Sequence, residues 1–496
     1  MVFDPAPSLP LVRALRVDVV PPGGAAATVG VGVTSDGALP DGVGLDRDAL
    51  AAWGFRATPG STLALPRGGG ESSLVLVGLG PAADVSPAVV RDAAAAFARV
   101  DGRAAHLVTD LASALPGDAA AAAQAVVEGV VLGRYRYDAL RSEPDTVPVE
   151  RLDLRVPDDR ADDARTGAAR GLVLARAAAL SRDLANTPAG HLTAPDVADV
   201  ARRLAADAGL DVVVHDKAAL VALGCGGLLG VNSGSAVEPR MVVLHYVPDG
   251  DAAPGHLGFV GKGITYDSGG ISLKPSNAMH AAMKMDMTGA GAVLAAMTVL
   301  RELRVPVRVS AYLALTDNMP SATATKLGDV LTTRAGRTIE VVNTDAEGRL
   351  VMSDAITLAQ EDGVDAIVDI ATLTGACLAA LGPLTAGLIG TDDRVQRLVE
   401  DAADATDERV WRLPLDRRYR PWMDSEVADI KNLGGEFAGA ITAALFLAEW
   451  VGDTPWAHLD IAGPMRSEKD DAWRTKGATG FGARLLAEVA AAYRAP

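Results

Sequence analysis

The sequence predicts an α/β protein of two domains: a smaller N-terminal α/β domain and a larger C-terminal domain with a mostly parallel central sheet covered by helices on both faces. Three observations lead there. The chain has 496 residues, beyond the roughly 250–300 at which a single hydrophobic core stops growing. From residue 191 onward, near-continuous Val/Ile/Leu runs alternate with helical patterns, as expected of strands buried on both faces. A polar, acidic stretch at 141–165, RSEPDTVPVERLDLRVPDDRADDAR, separates that region from an earlier block of short strand-like and Ala-rich segments.

The first block joins runs such as LVLVGLG (74–80) to helical stretches such as SPAVVRDAAAAFARV and AAAAQAVVEGVVLG, giving a small α/β unit over 1–165. A long helical pattern, GAARGLVLARAAALSRDLA, stops at Asn186-Thr187-Pro188-Ala189-Gly190, which predicts a linker helix and loop over 166–190. Strands are then expected at DVVVHD, MVVLHYVP, HLGFVG, VRVSAYLAL, TIEVVN, DAIVDIATLT, LTAGLIGTD and WAHLDIAG, with helices at GAGAVLAAMTVLREL and RLVMSDAITLAQE. These assign 191–496 to the second domain. Ligands of such sheets bind beyond the carboxyl ends of the strands.

The net charge of −17 opposes broad contact with phosphate backbones. The N-terminus lacks the basic segment and apolar core of a signal peptide, and no apolar run approaches the ~18 residues of a membrane helix. Only Cys225 and Cys377 are present, so neither a disulfide framework nor a thiolate metal cluster is available to one chain. A cytoplasmic protein without a membrane partner is expected.

Polar residues gather at the expected strand ends. HLGFVG runs into GKGITYDSGGISLKP with Lys262, Asp267 and Lys274; MKMDMTGAG delivers Asp286 where a helix should begin; TIEVVN runs into TDAEGRL with Asp345, Glu347 and Arg349. If 343–349 is extended, the last three share a face before a helix at 350–361. Alone, D-x-E-x-R reads more readily as a surface charge cluster in which Arg349 is the counter-ion. Asp267 and Asp286 at neighbouring junctions change the weighting, because four converging carboxylates with few histidines suit a pair of divalent ions bridged by carboxylates. No two of the seven histidines are four residues apart, which excludes an H-E-x-x-H helix. GFVGKG lacks the spacing of a phosphate loop. Taken singly, Lys262 and Lys274 also read as solvated loop lysines, and Met283, Met285, Met287 and Met297 as core filler.

Together, NTDAEGRL, VGKGITYDSGGISLKP, MKMDM, ATLTGA and WAHLDIAG closely resemble the leucyl aminopeptidase family, the dinuclear-metal cytosolic aminopeptidases, in order from RDLANTPAG to KGATGFGARLL. Residues 1–165 resemble it only loosely. The resemblance implies a metallo-exopeptidase that releases Leu-like or Met-like N-terminal residues from short peptides, with 191–496 as its catalytic domain and two divalent ions, manganese or zinc, per subunit. It implies that Asp267 and Glu347 bridge both ions, Asp345 holds the first, and Lys262 and Asp286 hold the second. Lys274 and Arg349 correspond to the catalytic pair, with bicarbonate at Arg349. Met283, Thr372, Leu373, Gly375, Ala462 and Met465 correspond to the side-chain pocket. A homohexamer, with the N-terminal domain serving assembly, is likewise implied. Tyr266 stands where Phe is usual in the family and Thr288 where Gly or Cys is commoner; neither is a ligand position.

Elementary chemistry accommodates these roles. A lysine ligates only when neutral, so Lys262 needs its pKa driven below ~10.4 by a nearby dication. A charged Lys274 suits an oxyanion, and a guanidinium grips a planar anion through two parallel hydrogen bonds. Two rival readings stand beside this one: another two-metal hydrolase such as a phosphoesterase, and a DNA-binding or regulatory role through a local basic patch such as Arg134 and Arg136.

Overall fold

The computed structural model describes residues 3–23, 28–66, 73–115, 117–144, 147–250 and 254–495. It divides into two compact units, one of Ala6–Ala179 with Ser467–Gly477, the other of Met1–Pro5, Leu180–Arg466 and Ala478–Pro496. The division falls inside the helix Ala161–Asn186. No helix among the described residues is long and apolar enough to cross a membrane.

The first unit holds β1 (Arg16–Val20), β2 (Thr28–Thr34), β3 (Thr62–Pro66), β4 (Ser73–Gly80), β5 (His106–Thr109) and β6 (Arg151–Arg155) in the order β1-β6-β5-β2-β4-β3. All neighbours are parallel except β3, which runs antiparallel to β4 at the edge. Helices Pro87–Val100 and Ala119–Arg134, capped by Ser86 and Asp118, pack at close range. A Cβ at Gly129 would stand 2.2 Å from Arg91 O, so the approach requires glycine. The basic pair is already engaged: buried Arg134 donates to Asp101 O and Ala104 O, and Arg136 to Tyr135 O and Asp470. This leaves little of a phosphate-binding patch.

The second unit holds β7 (Asp211–His215), β8 (Arg240–Tyr246), β9 (His256–Asp267), β10 (Arg308–Asn318), β11 (Val330–Thr332), β12 (Thr338–Glu340), β13 (Ala366–Ala371), β14 (Ala386–Gly390), β15 (Val410–Arg412), β16 (Ile430–Lys431) and β17 (Trp456–Asp460). Eight of them form one sheet in the order β15-β14-β17-β13-β9-β10-β8-β7. The central four, β17, β13, β9 and β10, are mutually parallel, and antiparallel pairs occur on both flanks. Both faces are covered. Val260 clusters with Leu350, Val351 and Ala355 of the helix Gly348–Glu361, whereas a Cβ on its neighbour Gly261 would meet Ala290 of the helix Thr288–Met297 at 2.7 Å. Successive residues of one strand thus pack against different helices.

Three elements differ from their sequence-based expectation. TIEVVN supplies β12 of a separate three-stranded sheet, β11-β12-β16, and not a strand of the large one. HLGFVG extends six residues further, to Asp267, so Lys262 and Asp267 belong to the strand itself. The helix after the acidic loop begins at Gly348, two residues early, which places Arg349 in its first turn.

Candidate active site

The carboxyl ends of β9, β10 and β13 converge on one cluster of charged side chains. Along β9 and β10, Ile264 lies opposite Thr316 and Asp267 opposite Asn318, so three steps on one strand match two on the other. This is a one-residue bulge. Residues five apart in a regular strand face opposite sides; the bulge lets Lys262 and Asp267 serve the same cluster.

Lys262 Nζ lies 2.9 and 2.8 Å from the two Asp286 oxygens, 2.8 Å from Glu347 Oε1 and 2.9 Å from Thr372 O. Lys274 Nζ lies 2.8 Å from Asp267 Oδ2 and 2.6 Å from Asp345 Oδ1. Oxygens of Asp267, Asp345 and Glu347 all fall within 4.8 Å of one another. Asp286 arrives from the short 3-10 turn Met283–Met285, just before the helix Thr288–Met297.

The 342–347 segment is a turn, not the extended stretch that alternation predicts. Asn432, fully buried beside β16, accepts from the N–H groups of Val342 and Asn343 at 2.9 and 3.3 Å and donates to Asn343 O at 2.7 Å. Thr344 clamps the loop after β9, donating to Gly269 O at 2.7 Å and accepting from Ser272 N at 2.8 Å. Asn318 donates to Asp267 Oδ1 at 2.9 Å and to Thr344 O at 3.0 Å. Glycine is required at two contacts: a Cβ on Gly348 would lie 2.7 Å from Lys262 Cε, and one on Gly269, where φ is +88°, 2.9 Å from Asp345 Oδ1.

Burial raises the pKa values of Glu347, Asp286 and Asp345, and the Asp267 carboxylate pushes all three further in that direction while the lysines only partly offset it. Burial pulls Lys262 and Lys274 down, but the surrounding carboxylates outweigh it and the net shift is upward for both. Arg349 is lowered to about 10 by burial, against the pull of Glu347 and Asp460. Its Nη1 donates to Asn432 O at 2.9 Å, and its buried Nε has no hydrogen-bond partner.

This donor set fits divalent cations. Crowded carboxylates whose charged forms are disfavoured gain most from a dication, and Glu347 Oε2 is buried without a hydrogen-bond partner.

Of the expected pocket residues, Thr372 reaches the cluster itself. The Thr372 hydroxyl donates to Asp286 Oδ1 at 2.6 Å. Leu373 and Ala462 both donate their N–H to Asp460 Oδ1, at 3.2 Å each. Met283 is buried in the 3-10 turn, Met465 is buried beyond β17, and Gly375 is exposed at the start of the helix Gly375–Leu381. Asn318, Thr344, Asn432 and Asp460 were not among the residues singled out from sequence. Asp460 lies inside the quoted WAHLDIAG, whereas nothing local marks Asn432.

Comparison with known proteins gives the chain a lineage. Residues 179–487 match the cytosol aminopeptidase family, catalytic domain, and residues 38–144 its N-terminal domain. The chain is 40% identical over 475 residues to a probable cytosol aminopeptidase of Chlorobium limicola, covering 92% of this chain and 93% of the relative. It is 42% identical over 458 residues to a protein of the same description from Synechococcus sp. (strain JA-3-3Ab), covering 90% and 89%. Among solved structures, the bottromycin maturation enzyme BotP in complex with Mn superimposes with a TM-score of 0.86 at 42% identity, covering 94% of this chain and 99% of that one. With both domain types matched in order and such relatives along nearly its whole length, the chain belongs to the cytosol aminopeptidase family and is a metal-dependent aminopeptidase.

Proposed function

We propose that the chain releases Leu-like or Met-like residues from the N-termini of short peptides with two divalent ions, manganese or zinc, held by Lys262, Asp267, Asp286, Asp345 and Glu347. The observation that carries this reading is the convergence of those five side chains and Lys274 at the carboxyl end of the parallel strands. The manganese of the BotP structure supports that metal.

When bound, paired dications lower the pKa of water and polarise a scissile carbonyl. The chain's own residues do the rest. Dications would neutralise the carboxylates that now hold the Lys262 ammonium, leaving burial, which favours the free amine, as the main pull on that nitrogen. Lys274 Nζ, charged and only partly exposed, stabilises the developing oxyanion. Arg349 presents a buried, unpartnered Nε and would hold a bicarbonate, which would supply a proton relay between water and the leaving amine. Met283, Thr372, Leu373, Gly375, Ala462 and Met465 line the first-residue pocket. We read 1–165 as an assembly domain, 166–190 as a linker and 191–496 as the catalytic domain of a cytoplasmic homohexamer, a location that the relatives' names support. A phosphoesterase or DNA-binding role draws no support from those relatives.

Hydrolysis of leucine p-nitroanilide by manganese- or zinc-loaded protein, its loss with chelator, and inertness of the N-acetylated analogue are the expected results. Equal cleavage of the acetylated compound would sink the requirement for a free amine.

A further inference from the structure

Asp460 ends β17, is 1% exposed, and uses both carboxylate oxygens. Its Oδ1 accepts from the N–H groups of Leu373, Thr374 and Ala462 at 3.2, 3.3 and 3.2 Å. Its Oδ2 accepts from the Thr374 hydroxyl at 2.6 Å, and that hydroxyl accepts from Cys377 N at 3.0 Å, capping the helix Gly375–Leu381. The donors come from two separate segments. Leu373 and Thr374 follow β13, Ala462 follows β17, and the strands end in register with Ala371 opposite Asp460.

Thr372, next to Leu373, is held from the other side by Asp286 Oδ1 and by Lys262 Nζ through its carbonyl. The segment 372–375 is therefore anchored at one end to the charged cluster and at the other to Asp460. Four donors converging on one side chain call for a group that only accepts, which among uncharged and charged side chains means a carboxylate. Alanine would leave three N–H groups of the two loops without their partner.

We propose that Asp460 is a positioning residue for substrate selection: it fixes both walls of the first-residue pocket relative to the charged cluster, so that the width accepted at the substrate's N-terminal side chain is set by its carboxylate. This rests on the reading of Leu373 and Ala462 as pocket walls. A residue that merely supported the fold would lower turnover of every substrate alike when removed, whereas a wall-setting residue changes the ratio between substrates.

The test compares kcat/KM for leucine, alanine and phenylalanine p-nitroanilides in the wild-type chain and in Asp460→Ala, Asp460→Asn and Thr374→Val, with metal per chain measured by mass spectrometry. A fixed apolar pocket separates substrates by roughly 10–200-fold per methylene, so Asp460→Ala is expected to lower the leucine-to-alanine ratio by about 10-fold or more with wild-type metal content. Thr374→Val, which removes the hydroxyl link and the Cys377 cap but keeps all three N–H donors to Oδ1, shifts the ratio in the same direction by less, and Asp460→Asn, which keeps the Oδ1 acceptor, retains most of it. If Asp460→Ala fails to fold, Thr374→Val carries the test. Unchanged ratios in the folded, metal-loaded variants, or equal loss on all three substrates, overturn the proposal. A wild-type chain that cleaves none of them overturns the proposed function, and this inference with it.

Discussion

Lys262 Nζ sits 2.8 Å from Glu347 Oε1, joining the middle of β9 to the turn that opens the helix Gly348–Glu361, with both side chains almost fully buried. The contact depends on Gly348, since any Cβ there would strike the Lys262 side chain at 2.7–2.8 Å. Gly348→Ala is expected to displace Lys262 at a cost of about 1–3 kcal/mol and to reduce both metal content and turnover. Full metal occupancy together with wild-type turnover would show that the lysine tolerates the intrusion.

Arg349 is expected to act on the reaction and not on metal retention. Arg349→Ala should lower kcat by about 10²–10³, the range found when one preorganised charge-stabilising donor is removed, with metal content unchanged. Arg349→Lys should restore little, because an ammonium lacks the planar fork. Loss of metal in Arg349→Ala would place the residue among the supports of the ligand set instead.

Asn432 is the hydrogen-bonding centre of the 342–347 turn. Asn432→Ala strips partners from two backbone N–H groups, at about 1–3 kcal/mol for each buried donor left unpaired. A lower Tm and weaker metal binding should appear together. A drop in Tm with intact metal affinity would mean the turn holds its shape unaided.

Across β13 and β17, buried His458 Nδ1 lies 2.5 Å from Asp369 Oδ1, and Trp456 Nε1 donates to Asp369 Oδ2 at 2.5 Å. Burial pushes the His458 pKa down, Asp369 outweighs it with help from Asp460, Arg349 opposes them, and the net shift is upward. The folded chain thus holds this proton more tightly than the unfolded chain, whose histidine titrates near ~6.5. That contribution is fully present below about pH 6.5 and lost as pH rises through the elevated folded value. Wild-type Tm should therefore fall above about pH 6.5, and Asp369→Asn, starting lower, should fall less steeply over the same window. Parallel slopes would assign the pH dependence to other groups.

How much of this was legible in the chain follows from which interactions are local. β9, β13 and β17 announce themselves because burial on both faces leaves uninterrupted apolar strings. TIEVVN carries the same composition, yet β12 pairs only with two short strands, and composition does not name a strand's neighbours. The alternation of Asp345, Glu347 and Arg349 suggested one extended face; the turn that replaces it is held by Asn432, far along the chain. Asp460 was visible as part of a motif but not as a shared acceptor, because its donors lie on two loops that only the folded sheet brings together.

The irregular step between Ile264 and Asp267 makes the site a matter of counting as well as chemistry. Thr265 and Tyr266 occupy the interval, and Thr265 donates to Thr316 O at 3.3 Å across it. Ironing out the step with both residues kept would leave every charged group of the cluster in the sequence and give an ideal ladder, yet would turn the Asp267 carboxylate to the opposite side of the sheet. The interval from Lys262 to Asp267 is thus a spacer whose length carries meaning even where its letters vary, and a chain can lose the centre by becoming more regular.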